Sequence, residues 1–246
     1  MSKKKKIFFA SDLHLGLPDY ESSLKREKLF VKWLDEITTE AEEIYLLGDI
    51  FDFWFEYRYT IPKGFVRFLG KITEITDAGI PVHFFTGNHD MWIFDYLPRE
   101  TGMILHRKPL EKTIMGKTFF LAHGDGLGSG DIWYKMLKKI FASSFSQWLF
   151  ARIHPNLGIR VANGWSHNNR YSRETPNFQG EDKEWLVLYA REYLKKQHKD
   201  YFVFGHRHLP MNVEINGSSI INLGDWLTHF SYGVFDGKNF ELKTFS

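Results

Sequence analysis

Five short polar clusters carry the residue types that bind metal ions and act on phosphate: Asp12-Leu13-His14, Gly48-Asp49, Gly87-Asn88-His89-Asp90, His123-Gly124-Asp125 and Gly205-His206-Arg207-His208. Oxygen and imidazole donors without a thiolate suit Mn, Fe, Zn or Co better than Ca or an iron–sulfur cluster. The candidate ligands are Asp12, His14, Asp49, Asn88, His123, His206 and His208. Seven donors are too many for one ion and suit two, with Asp49 shared. Two aspartates neutralise only part of the charge of two divalent cations. The surplus suits a phosphate group, and a water between the ions ionises near neutral pH. His89 is the candidate acid or phosphate donor. Taken singly, each cluster is an ordinary turn or helix cap; together they point to a dinuclear hydrolytic centre. His83, His106, His154, His198 and His229 read as surface or structural imidazoles, and His167 stays open.

Such clusters need a scaffold that gathers them. The apolar runs 7–10, 44–47 and 82–85 read as buried strands, each ending at a cluster. Leu29, Phe30, Trp33, Leu34 and Ile37, then Phe65, Phe68, Leu69, Ile72 and Ile75, fall at helical spacing between them. This alternation predicts a parallel sheet with right-handed crossovers, whose C-terminal strand edges share one crevice. In the second half, Gly116-Lys117 and Asn216-Gly217 mark hairpins, and 201–204 is a further strand ending at the His-x-His cluster. Residues 131–155 and 184–197 look helical, 157–179 looks mixed, and 230–235 and 240–245 close the chain. The pattern predicts one domain over 1–246, with an insertion at about 130–180.

Composition narrows the function classes. The chain has 246 residues, a net charge of +2, no cysteine, 43% hydrophobic and 17% aromatic residues. That excludes wholesale disorder, a disulfide framework, a zinc ribbon and nucleic-acid binding by bulk charge. No apolar run approaches the roughly 18 residues of a membrane span. Lys3 to Lys6 are followed by only a short apolar stretch at 7–10, where a secretory signal needs about 7–15 residues. A cytoplasmic protein is expected.

The series D-x-H, G-D, G-N-H-[DE], H-G-D and G-H-x-H resembles the signature of the calcineurin-like metallophosphoesterases, and the match runs over residues 7–208. The resemblance implies an α/β fold, a four-layer αββα sandwich with two metals at one sheet edge. It assigns Asp12, His14, Asp49 and His208 to one metal and Asp49, Asn88, His123 and His206 to the other. It sets His89 beside the scissile phosphate, with Asn88, His89 and Arg207 stabilising the charge that gathers there. Mn²⁺ is the favoured metal, with Fe or Zn as alternatives.

A finer resemblance is to the pyrophosphohydrolases that cleave UDP-2,3-diacylglucosamine to UMP and 2,3-diacylglucosamine 1-phosphate in lipid A biosynthesis. It rests on Ser-Asp-Leu-His-Leu-Gly at 11–16, Gly-Asp-Ile-Phe-Asp-Phe-Trp at 48–54, Ala-His-Gly-Asp-Gly-Leu at 122–127, Gly-His-Arg-His-Leu-Pro at 205–210 and Asn-Leu-Gly-Asp-Trp at 222–226. Asp131 falls where that group has an acidic residue touching the sugar.

The insertion fits a lipid substrate. Trp133, Met136, Leu137, Ile140 and Phe141 share one helical face, with Lys135, Lys138 and Lys139 beside it, and Phe145, Trp148, Leu149 and Ile153 continue it. Such a stripe ordinarily packs on a sheet. The α/β frame already has its own covering helices, so a lid for acyl chains or an interfacial anchor is expected instead. Ser166, Asn168 and Arg170, with Asn163, His167, Asn169 and Arg173 around them, could hold the uridine, sugar or diphosphate; a solvated loop is the competing reading. Expected partners are a lipid-linked UDP-sugar and the inner face of the cytoplasmic membrane, with no nucleic acid and no obligate protein partner. A generic phosphodiesterase or phosphoprotein phosphatase would need no greasy insertion. A binding module on an inactive frame would not need all seven ligand positions intact.

Overall fold

The computed structural model of the chain describes residues 5–128, 132–171 and 177–246. The elements run β1 (Lys6–Ala10), α1 (Tyr20–Thr38), β2 (Ala41–Leu46), α2 (Val66–Asp77), β3 (Val82–Phe85), α3 (Tyr96–Thr101), β4 (Ile104–His106), β5 (Leu110–Ile114) and β6 (Lys117–Ala122). They continue α4 (Ile132–Phe141), α5 (Ser144–Phe150), α6 (Pro155–Tyr171), α7 (Trp185–Leu194), β7 (Tyr201–Phe204), β8 (Met211–Ile215), β9 (Ser218–Asn222), β10 (Ser231–Phe235) and β11 (Phe240–Thr244). Two mixed sheets form. One has the order β11-β10-β1-β2-β3-β4, the other β5-β6-β7-β9-β8. β1 to β4 are parallel, as are β6, β7 and β9.

The strand sequences are apolar on both faces because both faces are buried. In β1, Ile7 and Phe9 point between the sheets, where they meet Tyr45, Phe85, Phe119, Leu121, Val203 and Ile221. Phe8 and Ala10 point the other way, onto Phe30, Trp33, Leu34 and Ile37 of α1 and Phe68, Ile72 and Ile75 of α2. In β6, Phe119 and Leu121 face inward, while Phe120 and Ala122 meet Leu186, Val187 and Ala190 of α7. The alternation of period two thus builds helix, sheet, sheet and helix layers, the αββα sandwich. Asp19 starts α1 by accepting from the Ser22 backbone N–H at 2.8 Å.

Three details depart from the sequence expectation. The first hairpin turns at Met115-Gly116, both with positive φ (48° and 82°), and Lys117 already belongs to β6. α3 and β4, six and three residues long, carry too few residues to show a period. Most of 157–179 is not irregular: α6 covers Pro155–Tyr171. Pro155 opens this helix, where its missing N–H costs nothing, instead of ending the previous one. Its Asn and Ser content disguised it, since both compete with the helix for backbone hydrogen bonds.

The helices α4 and α5 dock on the frame through aromatic rings, and α6 lies against Tyr57 and Phe150 at Gly158. Phe150 packs at 4.7 Å from Phe55 and 4.8 Å from Trp92, and Trp92 Nε1 donates to the Phe141 carbonyl at 2.9 Å. Their other faces are open: Trp133 is 77% exposed and Phe145 70%, with Met136, Ile140, Trp148 and Leu149 also exposed. The stripe is therefore not sheet packing. Among the described residues, no helix is long and apolar enough to cross a membrane.

Candidate metal centre

Each of the five clusters begins within two residues of a strand's C-terminal end: after β1, β2, β3, β6 and β7. Three parallel strands of one sheet and two of the other thus deliver their polar ends to one edge. Backbone hydrogen bonds stitch these loops together. Asp12 N–H donates to Gly48 O at 3.0 Å, His14 N–H to Asp49 O at 3.0 Å, and Gly205 N–H to His123 O at 2.9 Å. A side-chain bond crosses between sheets, from His206 N–H to Asp12 Oδ2 at 2.9 Å.

The D-x-H and H-x-H spacings converge because the backbone bends at them. Asp12, His14, Asp49, His206 and His208 all have φ between 46° and 68°, a region rarely used by residues other than glycine. Such conformations persist only where the surroundings enforce them. The neighbouring glycines permit the approach. A Cβ on Gly205 would lie 2.6 Å from Asp12 Oδ2, and one on Gly87 would overlap the Asp49 carboxylate.

The structure brings all seven expected ligands together. Donor atoms of Asp12, His14 and His208 lie within 4.8 Å of one another, as do those of Asp49, His123 and His206. Asp49 also groups with His14 and His89, so it stands between the two sets. Asn88 Oδ1 lies 3.4 Å from His123 Nε2, in the second set. His89 N–H donates to Asp49 Oδ1 at 2.9 Å, and its Nδ1 meets the Asp52 carbonyl at 2.9 Å.

The donor set fits a cation on its own chemistry. His14 Nε2 and His208 Nε2 face each other at 3.3 Å, with Asp12 Oδ1 3.3 Å from the latter. Asp12 Oδ1 is buried and has no hydrogen-bond partner among the described residues. Burial works to raise the Asp49 carboxyl, but His123, His89 and His14 outweigh it and hold it well below the usual range. Burial likewise works to lower His123, yet Asp49 and Asp12 push it up to about 10. A proton on His123 thus supplies the positive charge that these buried carboxylates demand, and a metal ion would supply more of it. Burial, then His123, drives His206 down to about 3, the neutral form a metal requires.

The ring nitrogens turned away from the site are held. His123 Nδ1 donates to the Leu47 carbonyl at 2.7 Å, His14 Nδ1 lies 3.5 Å from Asp52 Oδ1, and His208 Nδ1 lies 3.2 Å from Asp225 Oδ2. Such partners fix the tautomer and orientation of a metal-binding imidazole. Asp90 ties two loops together by accepting from Gly87 N–H at 2.7 Å and Ile50 N–H at 2.8 Å. Burial, reinforced by Asp49, raises the Asp90 carboxyl to about 7.

Arg207, expected at the phosphate, is held by buried Glu184 at 3.0 and 3.1 Å and by the Asn177 carbonyl at 3.0 Å. Trp133 and Met136 project outward from α4, and Phe141 rests half-buried on Trp92 at 6.0 Å. Asp131 lies outside the described residues, as do the side chains of Ser166, Asn168 and Arg170, whose backbone belongs to α6. α4 is fastened beside the centre: Tyr134 Oη donates to Asp125 at 2.8 Å, and Lys138 Nζ pairs with it at 2.5 Å. Asp52, Glu184 and Asp225 are not among the residues that residue type and spacing single out, and Asp125 is named there only as a member of the His123-Gly124-Asp125 cluster. Asp225 did leave a signal, a Gly-Asp pair just after a strand, like Gly48-Asp49.

The chain is similar to several known proteins. The profile of the calcineurin-like phosphoesterase family matches residues 5–210. A Porphyromonas gingivalis protein named UDP-2,3-diacylglucosamine hydrolase is 37% identical, over 98% of this chain and 98% of its own. A Vibrio atlanticus protein of the same name is 27% identical, over 97% of this chain and 96% of its own. Among solved structures, Yfce, a phosphoesterase from E. coli, aligns with a TM-score of 0.49 at 15% identity, over 97% of this chain and 92% of that one.

Proposed function

The chain belongs to the calcineurin-like phosphoesterase family, and on that premise we propose that it hydrolyses the pyrophosphate bond of UDP-2,3-diacylglucosamine, giving UMP and 2,3-diacylglucosamine 1-phosphate. One observation carries the reading: the His/Asp convergence is fastened through Asp125 to α4, whose outer face exposes Trp133 and Met136. A polar diphosphate and greasy chains would thus be met side by side. The names of the relatives support the same substrate.

Asp12, His14, Asp49 and His208 would hold one divalent ion, and Asp49, Asn88, His123 and His206 the other, with Mn²⁺ favoured. Bound there, the pair supplies Lewis acidity to phosphoryl oxygens and a water acidified toward neutral pH. His89 donates Nδ1–H to the Asp52 carbonyl and, in its imidazolium form, would donate Nε2–H to a phosphoryl oxygen. Asn88 offers its amide beside it. Arg207, braced by Glu184, fixes the turn between His206 and His208 and adds positive charge near the phosphate. Trp133, Met136 and Phe141 hold acyl carbons, at about 0.8 kcal/mol per methylene buried. Asp131, Ser166, Asn168 and Arg170 contact the sugar or nucleotide. The exposed rings of α4 and α5, with Lys139, would rest peripherally on the inner membrane from the cytoplasmic side.

The test is a substrate panel with added Mn²⁺: UDP-diacylglucosamine, an unacylated UDP-sugar and bis(p-nitrophenyl) phosphate. The lipid substrate should turn over with the highest kcat/KM, and oxygen from labelled water should enter UMP. Equal efficiency on all three would favour a generic phosphodiesterase. Label in the sugar phosphate would reverse the substrate's orientation.

A further inference from the structure

We infer that Asp225 dictates the tautomer of His208 and is thereby a positioning residue for one half of the metal centre; the inference rests on the dinuclear reading above. Asp225 lies on the loop that leaves β9 of one sheet for β10 of the other. The next residue anchors it: Trp226 is fully buried, its ring 4.6 Å from Phe30 and 5.3 Å from Trp33, and its backbone N–H donates to the Asp12 carbonyl at 3.1 Å.

The two carboxylate oxygens have separate tasks. Oδ1 accepts three backbone N–H groups, from Leu227 at 3.1 Å, Thr228 at 2.8 Å and His229 at 3.0 Å. Oδ2 faces His208 Nδ1 at 3.2 Å. The cradle of N–H groups prevents the carboxylate from turning, so Oδ2 is an acceptor held toward the imidazole. A neutral His208 must then carry its proton on Nδ1. Its lone pair is left on Nε2, the atom 3.3 Å from both Asp12 Oδ1 and His14 Nε2.

Asp225→Asn inverts this logic with almost no change in shape. Three N–H donors can be met only by the amide oxygen, so the amide NH₂ must face His208. Nδ1 becomes the acceptor, the ring proton moves to Nε2, and Nε2 has no lone pair for a metal. Asp225→Ala removes the cradle's acceptor and is expected to harm the fold more, but water can then meet Nδ1 and the tautomer is free. A purely structural role ranks Ala as worse than Asn in every measurement. The tautomer role reverses that order for metal binding alone.

The experiment titrates Mn²⁺ into metal-free full-length protein by calorimetry, with elemental analysis of the loaded protein and Tm recorded beside it. The unsubstituted protein should take up two ions. Asp225→Asn should keep one and lose about 10–100-fold in affinity for the other, a typical cost of disturbing a ligand's supporting partner. Asp225→Ala should show the lower Tm and the smaller loss of metal. Two ions bound by Asp225→Asn with unchanged affinity, or a greater metal loss in Ala than in Asn, would overturn the inference. If the variants do not fold, histidine ring-nitrogen NMR of the unsubstituted, metal-free protein at a pH about two units above the usual imidazole pKa decides it. Protonated Nδ1 on His208 is the expected result, and protonated Nε2 refutes it. Failure of the unsubstituted protein to bind any divalent ion would instead remove the dinuclear reading, and the same NMR result would still judge Asp225.

Discussion

Gly205→Ala adds one methyl group beside the centre and touches no ligand chemically. Its Cβ would stand 2.6 Å from Asp12 Oδ2 and 2.8 Å from Ser11 Oγ. Ordinary carbon contacts begin near 3.4 Å, so one side must retreat by about 0.8 Å. The retreat falls on Asp12 or on the His206–His208 turn, because His206 N–H is bonded to the same Oδ2. Misplacing catalytic groups by about 1 Å can cost around 100-fold in rate, and crowding a packed site typically costs about 1–3 kcal/mol. A normal Gly→Ala exchange would stabilise by about 0.4–1 kcal/mol through the unfolded chain, so the expected sign is the reverse of the ordinary one. Turnover of bis(p-nitrophenyl) phosphate with Mn²⁺ should fall by tens to about 100-fold, with a lowered Tm and an intact fold by circular dichroism. Unchanged turnover together with a raised Tm would show that the close approach of the two sheets at Gly205 has no mechanical importance.

Three further outcomes are expected. Asp49→Ala, which removes the carboxylate common to two donor groups, should reduce the metal content from two ions to one or none and remove nearly all activity; full metal content by elemental analysis would count against a shared ligand. Trp133→Ser with Met136→Ser changes only exposed side chains, so Tm should hold while kcat/KM on UDP-diacylglucosamine drops about tenfold or more, since ~1.4 kcal/mol is tenfold; an equal drop on bis(p-nitrophenyl) phosphate would assign these residues away from the acyl chains. His83, stacked on Tyr45 and beside His106 and Glu43, is pushed down to about 4 by burial and then by the charge of Lys112. The unfolded imidazole takes a proton near 6.5, so its contribution is complete above that pH and is lost as the pH falls toward 4. His83→Phe, which keeps the stack on Tyr45, should flatten the decline of Tm over that window, and an unaltered slope would place the acid sensitivity elsewhere.

The sheets were legible because buried parallel strands are written as short apolar runs, and their polar ends announced the centre. Asp12 through His208 could be collected from residue type and position after a strand. Their supporting partners could not. Asp52 and Glu184 look like any acidic residue in a loop or at a helix start, and only the fold reveals that one meets two imidazoles while the other braces Arg207. The antiparallel addition of β10 and β11 beside β1 was equally hidden, since an apolar run does not say which edge it joins. α6 was misread because its face toward the frame includes a small contact: a Cβ on Gly158 would sit 2.6 Å from Tyr57 Oη, so close approach, not an apolar stripe, seats it there. The exposed face of α4 was correctly separated from sheet packing by counting helices already available to cover the sheets.

His14 and His208 face each other although 194 positions separate them along the chain. At a synthesis rate of about 5–20 residues per second, roughly 10–40 s pass between the making of one ring and the other. Until His123 is made, Asp12, His14, Asp49 and, from residue 88 on, Asn88 stand at the rim of a growing sheet with no counterpart from the second layer. Those four groups must remain hydrated while β1 to β4 assemble, because the partners that would make burial tolerable have not been made. The chemistry of this edge is therefore a late acquisition of the nascent chain. A chain cut short before residue 206 would have four of the first sheet's six strands, β1 to β4, yet an acidic, water-filled rim in place of a centre.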